Sequence, residues 1–324
     1  MIEVIKSGLE TSVQDYPGRI GFWAQGFPPS GPMDSWSFRL ANLLVGNDAG
    51  AAGLECQFVG PSLRFRDATV IAVCGADMKP ALDSAPVPMW ESLAVAAGQT
   101  LTLNYAGAGA GARAYIAIAG GIASSPWLGS RATFHKAGIG GIGGHALKAG
   151  QVIPVGTGRG TPGRRVRREA RPVFAASRRW MIEVVAGPND DWIDEAGHAR
   201  FLGSDWKLSS RSDRTGFRLE GPQWTFTEKA TNKAPENGSE PSNIIDQGYP
   251  LGAINLAGQT PIILVNDGPS MGGFINPYTV PSAAFWKLGQ AQPAEILRFK
   301  SVSVAEAQTL RRSVDALCSP NSLV

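Results

Sequence analysis

TVIAVCGADMKPALDSAPVPMWESLAVAAGQTLTLNYAGAGAGARAYIAIAGG, residues 69–121, consists of short apolar runs cut apart by Gly, Pro and polar turns. The runs are TVIAVCG (69–75), PMWESLAV (88–95), QTLTLNY (99–105) and ARAYIAIAGG (112–121). They recur about every ten residues, which favours a β-sandwich or barrel over βαβ units. The pattern extends in both directions. Residues 2–5 alternate apolar and polar, LRF (63–65) is strand-like, and a Gly-rich segment over 127–153 closes this half at QVIPVG (151–156). Strand-like runs resume at RWMIEVVAG (179–187), GFRLEG (216–221), QWTFTE (223–228), PIILVND (261–267) and EILRF (295–299). Forty Gly and 23 Pro imply many tight turns, so the expected class is mainly β with a few short helices.

Asp34 is placed to cap a helix over 35–45, with Trp36, Leu40, Leu43 and Leu44 on its buried face and Gly46 at its end. NDDWIDEAGHARFLG (189–203) is helix-like, with acids in its first turn. Ser303 and Glu306 form a capping box ahead of an apolar stripe of Ala307, Leu310, Val314 and Leu317. Residues 303–317 therefore read as a docking helix without chemistry. Residues 229–243 are polar and turn-rich and read as a mobile loop.

The chain of 324 residues, 43% apolar and 18% charged, has ordinary globular composition and room for two domains or one large β domain. Its net charge of +3 is too small to argue for nucleic acid. Cys56, Cys74 and Cys318 share no metal or CxxC spacing, and the low, odd count suits a reducing, cytoplasmic setting. MIEVIKSG reads as a strand rather than a leader, and no run of about 18 apolar residues calls for a membrane span. Residues 157–179 hold eight Arg against Glu169 alone, 8 − 1 = +7. No aromatics interleave the basic core, so it reads as a solvated linker. The expected division is a β lobe over 1–156, the linker 157–179, a second β lobe over 180–302, and a helix and tail over 303–324.

The densest chemistry lies in TSVQDYPGRIGFWAQGFPPSGPMD (11–34). Pro17-Gly18, Pro28-Pro29, Gly31 and Pro32 restrict the backbone around Gln14, Asp15, Arg19 and Asp34. That is the signature of a rigid loop carrying a candidate site. The plain alternative is a surface loop with a weak Asp15–Arg19 ion pair. Four further polar stretches are supported by Gly. CGADM (74–78) presents Asp77, and LGSRATF (128–134) offers Ser130 and Arg131. SDRTGFRLEG (212–221) carries Asp213, Arg214 and Arg218. NDGPSMGGF (266–274), with Asp267 and Ser270, is followed by FWKLGQ (285–290). Together they supply Arg for anions, carboxylates and amides for orientation, and Gly amides for an oxyanion. There is no phosphate-binding G-x-x-x-x-G-K-[ST] and no G-x-S-x-G elbow, and His135, His145 and His198 lie in no metal spacing. Hydrolysis by a metal or a Ser-His-Asp triad is not expected.

TSVQDYPGR (11–19), SGPMD (30–34), ANLLVGN (41–47) and LE (54–55), with CGAD (74–77), GGI (120–122), LGSRATF, SDRTGFRL and MGGF (271–274), resemble the allophanate hydrolase subunit 2 family. That family is also called the 5-oxoprolinase C subunit, or the first half of the carboxyltransferase domain of urea carboxylase. The likeness runs from about residue 3 to 300. It implies two cyclophilin-like β-barrel lobes. It also implies one of two activities: biotin-dependent carboxyl transfer to a urea or guanidine nitrogen, or ATP-dependent opening of 5-oxoproline to glutamate. The stretch from PSNIIDQGYPLG (241–252) to FWKLGQ is similar to the urea carboxylase branch, whereas a free-standing chain of this length is typical of the 5-oxoprolinase branch. A non-catalytic regulatory subunit is a third possibility. The implied cofactors are biotin on a separate carrier chain or domain, and ATP used elsewhere in the complex. The implied partners are an allophanate hydrolase subunit 1-like chain and either a biotin carboxylase and carrier or a chain like the 5-oxoprolinase A subunit. One departure is plain: the family's R-P-G-D turn reads Gln292-Pro293-Ala294-Glu295.

For carboxyl transfer, the candidate donors to a developing oxyanion are backbone amides near Gly272-Gly273 or Gly31. Asp15, Asp34 or Asp267 would orient the acceptor, and Arg19, Arg131 or Arg214 would hold a carboxylate, with Gln14 and Asp213 beside them. Ser30, Met33, Asn42, Glu55, Arg218, Ser270 and Lys287 would contact substrate or cofactor. Residues 11–34 would form one wall of an interlobe cleft, and 212–218 with 267–274 the other.

Overall fold

Eleven short strands and one ten-residue helix build the first of two units in the computed structural model, which describes residues 1–324. This unit comprises Met1–Phe22, Pro29–Ala176 and Ser313–Val324. Its strands are β1 (Ile2–Lys6), β2 (Glu10–Gln14), β3 (Gly53–Gln57), β4 (Ser62–Phe65), β5 (Thr69–Gly75), β6 (Ala81–Leu82), β7 (Ala85–Pro86), β8 (Ser92–Val95), β9 (Thr100–Thr102), β10 (Arg113–Ile118) and β11 (Val152–Ile153). The helix α1 (Ser35–Leu44) lies between β2 and β3. Two antiparallel sheets result, β11-β1-β4-β9-β6-β7 and β2-β3-β10-β5-β8. Val4, Leu63 and Leu101 of the first share a core with Leu54, Ile71, Val73 and Ile116 of the second. Each such side chain contributes roughly 2 kcal/mol by leaving water. On its other face the second sheet is covered by α1, whose Phe38, Leu40 and Leu44 pack with Cys74, Tyr115 and Ala117. Strand β10 is thus buried on both faces, which explains a continuous apolar run where a half-buried strand would alternate.

The opening stretch is less of a loop than its Pro and Gly imply. ETSVQ (10–14) is strand β2, paired antiparallel with β3 from Glu10↔Gln57 to Gln14↔Gly53. The basic segment also departs from expectation. Residues 157–176 belong to the first unit and lie against the chain's last residues. Arg165 N donates to Val324 O (2.8 Å), Val324 N returns the bond (2.9 Å), and Val166 bridges Leu323. Val166 is buried while Arg165, Arg167 and Arg168 face water, so this is a one-sided edge segment rather than a linker.

The second unit, Trp23–Pro28 with Ser177–Arg312, is built on a closed barrel. Its strands are β12 (Arg179–Ala186), β13 (Trp206–Leu208), β14 (Gly216–Glu220), β15 (Asn243–Gly248), β16 (Ala253–Ala257), β17 (Thr260–Leu264), β18 (Met271–Phe274), β19 (Tyr278–Thr279) and β20 (Ile296–Ser301). The barrel order is β12-β19-β16-β17-β14-β13-β20, closed by a parallel pairing of β12 with β20. β15 and β18 form a separate two-stranded ribbon. Helices α2 (Glu195–Gly203), α3 (Glu228–Thr231) and α4 (Phe285–Gln290) complete the unit, and the boundary between units divides α5 (Val304–Leu317). Phe201 of α2 stacks on Trp224, Tyr278 and Phe299 at centroid distances of 4.9, 4.6 and 4.4 Å.

Two local expectations shift here. α2 begins at Asp194, whose side chain caps Gly197 N at 2.7 Å, and the earlier acids form only a single 3-10 turn. QWTFTE is not a strand: Trp224 is 4% exposed, and only Phe226 makes a bridge, to Ile193. Trp224 is instead inserted into the aromatic stack, against Phe201 and Trp206. The capping box on α5 does form, with Ser303 N on Glu306 Oε2 (2.7 Å) and Glu306 N on Ser303 Oγ (3.2 Å). Of its apolar stripe, only Ala307 is buried.

In the turn before β20, Ala294 adopts φ of 68° and exposes its methyl, while Glu295 is buried and accepts from Gln292 N (3.0 Å) and Trp180 Nε1 (2.7 Å). A left-handed residue with a Cβ costs about 1–2 kcal/mol. Ala294→Gly should therefore stabilise the protein by about 1 kcal/mol, read as a higher urea midpoint at unchanged slope. A lower midpoint would show that the turn is unstrained.

Candidate functional site

In the first unit the candidate residues converge on Glu55, which is 3% exposed in β3. Its Oε2 accepts from Met33 N (2.7 Å) and from the Tyr115 hydroxyl (2.9 Å), and its Oε1 lies 3.5 Å from Arg113 Nε. The same hydroxyl accepts from Asp34 N at 2.8 Å. Burial, with the Glu55 and Asp34 carboxylates nearby, pushes the Tyr115 phenol well above its ordinary range, so it remains a neutral donor. Asp34 in turn caps α1: its Oδ1 accepts from Trp36 N (3.1 Å) and Ser37 N (3.0 Å), and its Oδ2 from Ser37 Oγ (2.5 Å). Sequence reasoning missed Tyr115 and Arg113. Their one signal was two hydrogen-bonding side chains inside an otherwise apolar strand.

Gln14, Asp15 and Arg19 of the opening stretch are tied to residues 127–133. Asp15 Oδ1 accepts from Ser130 Oγ (2.5 Å) and its Oδ2 from Arg131 N (2.6 Å). Arg19, 1% exposed, donates to Trp127 O (3.3 Å) and Ala132 O (2.9 Å), and its guanidinium lies 5.1 Å over the Trp127 ring. Arg131 Nε donates to Ser124 O at 2.7 Å. Gln14 Oε1 accepts from Gly31 N (3.0 Å), and its Nε2 donates to Ser12 Oγ (3.0 Å). The Gly31 amide, expected to be open to an oxyanion, is thus engaged inside the loop. Ser30 and Gly31 both take positive φ, 58° and 83°, and a Cβ on Gly31 would stand 3.1 Å from Asp15 O. Asn42 Nδ2 donates to Ala51 O (2.8 Å) and its Oδ1 accepts from Asn47 Nδ2 (3.0 Å), which fixes the chain after α1.

In the second unit Arg214 and Asp267 form a buried pair, with Nε 3.0 Å from Oδ2, and Asp267 N donates to Arg214 O at 2.8 Å. Asp213, next to it, is exposed, and its Oδ1 accepts from Thr215 N (2.8 Å) and Gly216 N (3.3 Å). Ser270 O accepts from Tyr249 N (2.8 Å), and a Cβ on Gly272 would meet the Tyr249 ring at 2.9 Å. One on Gly273 would meet Ile244 O at 3.0 Å, so both glycines answer to close packing within the ribbon. Arg218 is exposed on β14. Lys287 stands apart from this group: its Nζ bonds Glu183 Oε2 (2.7 Å) and Met181 O (2.8 Å). Buried Oδ1 atoms of Asn255 and Asn276 have no donor.

A family model described as the carboxyltransferase domain, subdomain A and B, matches residues 25–301. The chain is 38% identical over 321 residues to urea amidolyase of Saccharomyces cerevisiae, covering 97% of this chain and 17% of that one. It is 33% identical over 314 residues to the 5-oxoprolinase C subunit of Escherichia coli, covering 96% and 94%. The structure superposes on K. lactis urea amidolyase with a TM-score of 0.94 at 38% identity, covering 99% of this chain and 20% of the other. The chain therefore spans about a fifth of the length of the urea amidolyases it matches.

Removing one partner from a buried ionic network leaves the others uncompensated. Glu55→Ala should cost about 3–5 kcal/mol in urea unfolding, and Tyr115→Phe about 1–3 kcal/mol. A cost under about 1 kcal/mol for Glu55→Ala would remove it from the centre of the network.

Proposed function

Because the chain belongs to the carboxyltransferase domain family, subdomains A and B, we propose that it forms part of a carboxyltransferase that places a carboxyl group on a nitrogen of a urea- or guanidine-like acceptor. The observation that carries this is the likeness to urea amidolyase and to a putative urea carboxylase of Emericella nidulans, 38% and 37% identical over 97% and 98% of this chain. The partners would be an allophanate hydrolase subunit 1-like chain or domain and a biotin carboxylase with its carrier, where ATP would be used. No helix is long and apolar enough to cross a membrane, and a cytoplasmic setting suits the reading.

Biotin, borne on a carrier, would supply the activated carboxyl group. Its ureido ring needs acceptors for N–H and donors for a carbonyl oxygen. The orphaned Oδ1 atoms of Asn255 and Asn276 are acceptors of that kind, and the Gly272 and Gly273 amides are candidate donors. The residue set therefore fits. Arg214, fixed by Asp267, would hold the carboxylate of the nascent carbamate. Asp213 has one oxygen fixed by backbone amides, which leaves the other to accept a hydrogen bond from the acceptor NH2 and take its proton. Most of the rate would come from positioning.

A second reading is favoured by the 33% identity to the 5-oxoprolinase C subunit over 96% of the chain: one component of an ATP-dependent enzyme that opens 5-oxoproline. The deciding assay mixes the chain with its partner subunits and ATP, offering urea, guanidine and 5-oxoproline with and without a biotinylated carrier. Biotin-dependent turnover of a urea or guanidine is expected. Biotin-independent turnover of 5-oxoproline supports the second reading, and silence with all three leaves a binding subunit. In the active mixture, Asp213→Asn should lower kcat by roughly 10²–10⁴-fold with the fold unchanged by circular dichroism. Wild-type kcat would exclude Asp213 from the proton transfer, and unchanged turnover by Arg214→Ala would exclude Arg214.

A further inference from the structure

The CGAD motif takes no part in either cluster above. In the first unit it opens a cleft of about 840 Å³, within the range that holds small organic ligands. Asp77, Lys79 and Arg171 are the charged residues of its lining, and Val87, Met89, Trp90 and Phe174 supply apolar wall.

The backbone beside the cleft is tightly fixed. Gly75, at the end of β5, takes φ of 89°, and a Cβ there would stand 2.4 Å from Arg113 O. Trp90 takes φ of 63°, unusual for a bulky residue, and is pinned by bonds from Trp90 N to Val73 O (2.8 Å) and from Val166 N to Trp90 O (3.0 Å). The nearby Asp83-Ser84 pair, φ of 46° and 71°, is the two-residue hairpin loop joining β6 to β7 and needs no ligand to explain it.

The charges of the cleft do not cancel. Asp77 is spent on Lys79: Oδ1 accepts from Lys79 N (2.9 Å) and Oδ2 from Lys79 Nζ (2.5 Å). Arg171 has no such carboxylate. Its Nε and Nη2 both donate to Val166 O (3.0 and 2.7 Å), which aims the guanidinium 5.9 Å over the Trp90 ring. Nη1 has no partner in the protein. A half-buried guanidinium, fixed in direction, lacking a counter-ion and set beside apolar surface, is a receptor for an anionic group on an apolar body.

We propose that this cleft binds a small organic anion, with its carboxylate or phosphate on Arg171 and its apolar body against Val87, Met89 and Phe174. The site lies wholly in the first unit and does not depend on the carboxyl-transfer reading.

The test titrates the full chain, without partner subunits, with phenylacetate, phenyl phosphate and the neutral isostere phenylacetamide. The readout is the indole N–H resonance of Trp90, assigned by its loss in Trp90→Phe. Saturable shifts with an anion are expected, and phenylacetamide should bind at least about tenfold more weakly, since a charge-assisted bond is worth more than 1.4 kcal/mol. Arg171→Gln should weaken anion binding by about the same factor. Tighter binding of phenyl phosphate than of phenylacetate would support the site and assign it to phosphorylated ligands. Equal binding of acid and amide, no saturable shift, or wild-type affinity in Arg171→Gln would overturn the proposal. Should Arg171→Gln fail to fold, the comparison of anion with amide decides alone.

Discussion

A carboxylate withdrawn from water must be matched on its lone pairs or it destabilises the fold by several kcal/mol. Glu55 is so withdrawn, and its three partners come from two separate places: Met33 in the opening stretch, and Tyr115 and Arg113 in β10. Satisfying it forces the Pro-rich chain before Asp34 down onto the second sheet. That fixes where α1 begins, because the Tyr115 hydroxyl also receives Asp34 N while the Asp34 side chain caps the helix. With its start fixed, α1 lays Phe38 and Leu44 over the sheet and buries the second face of β10. The covering of that sheet thus follows from the requirements of one buried charge.

This changes what the polar residues of the opening stretch are for. Gln14, Asp15, Arg19, Asp34 and Glu55 form the kind of constellation that reads as catalytic. In the folded chain each has partners within its own unit, mostly backbone amides and carbonyls. Those bonds hold the stretch in shape. In the second unit Arg214 and Asp267 are likewise engaged with one another, whereas Asp213 and Arg218 remain exposed. Chemistry that needs an uncommitted carboxylate or cation has more material there.

What could be read in the sequence was local. The Asp34 cap and the Ser303–Glu306 box involve residues two or three apart, and both formed as their spacing implied. The mainly β class followed from turn density. Contacts between distant residues left no local trace. Glu55 and Tyr115 are 60 positions apart, and Arg19 reaches carbonyls more than a hundred residues on. ETSVQ was hidden because its polar residues are buried in pairing with β3. The Arg-rich segment looked like a linker because its buried apolar residues, Val166 and Ala170, find their packing among residues that include Leu323, near the far end of the chain. QWTFTE had the period of a strand, but Trp224 is buried against Phe201 and Trp206 without a ladder.

That far-end pairing has a consequence for how the protein is made. The first unit contains residues from 1–22, 29–176 and 313–324, so the ribosome delivers most of it, then a second unit, and only then its last piece. At a few to about twenty residues per second, 177–312 emerges while the first unit still lacks the strand-like tail that pairs with Arg165 and Arg167. The basic edge is therefore open throughout synthesis of the inserted unit and closes last. Vectorial synthesis makes residues 313–324 the latch of a unit begun before the inserted one.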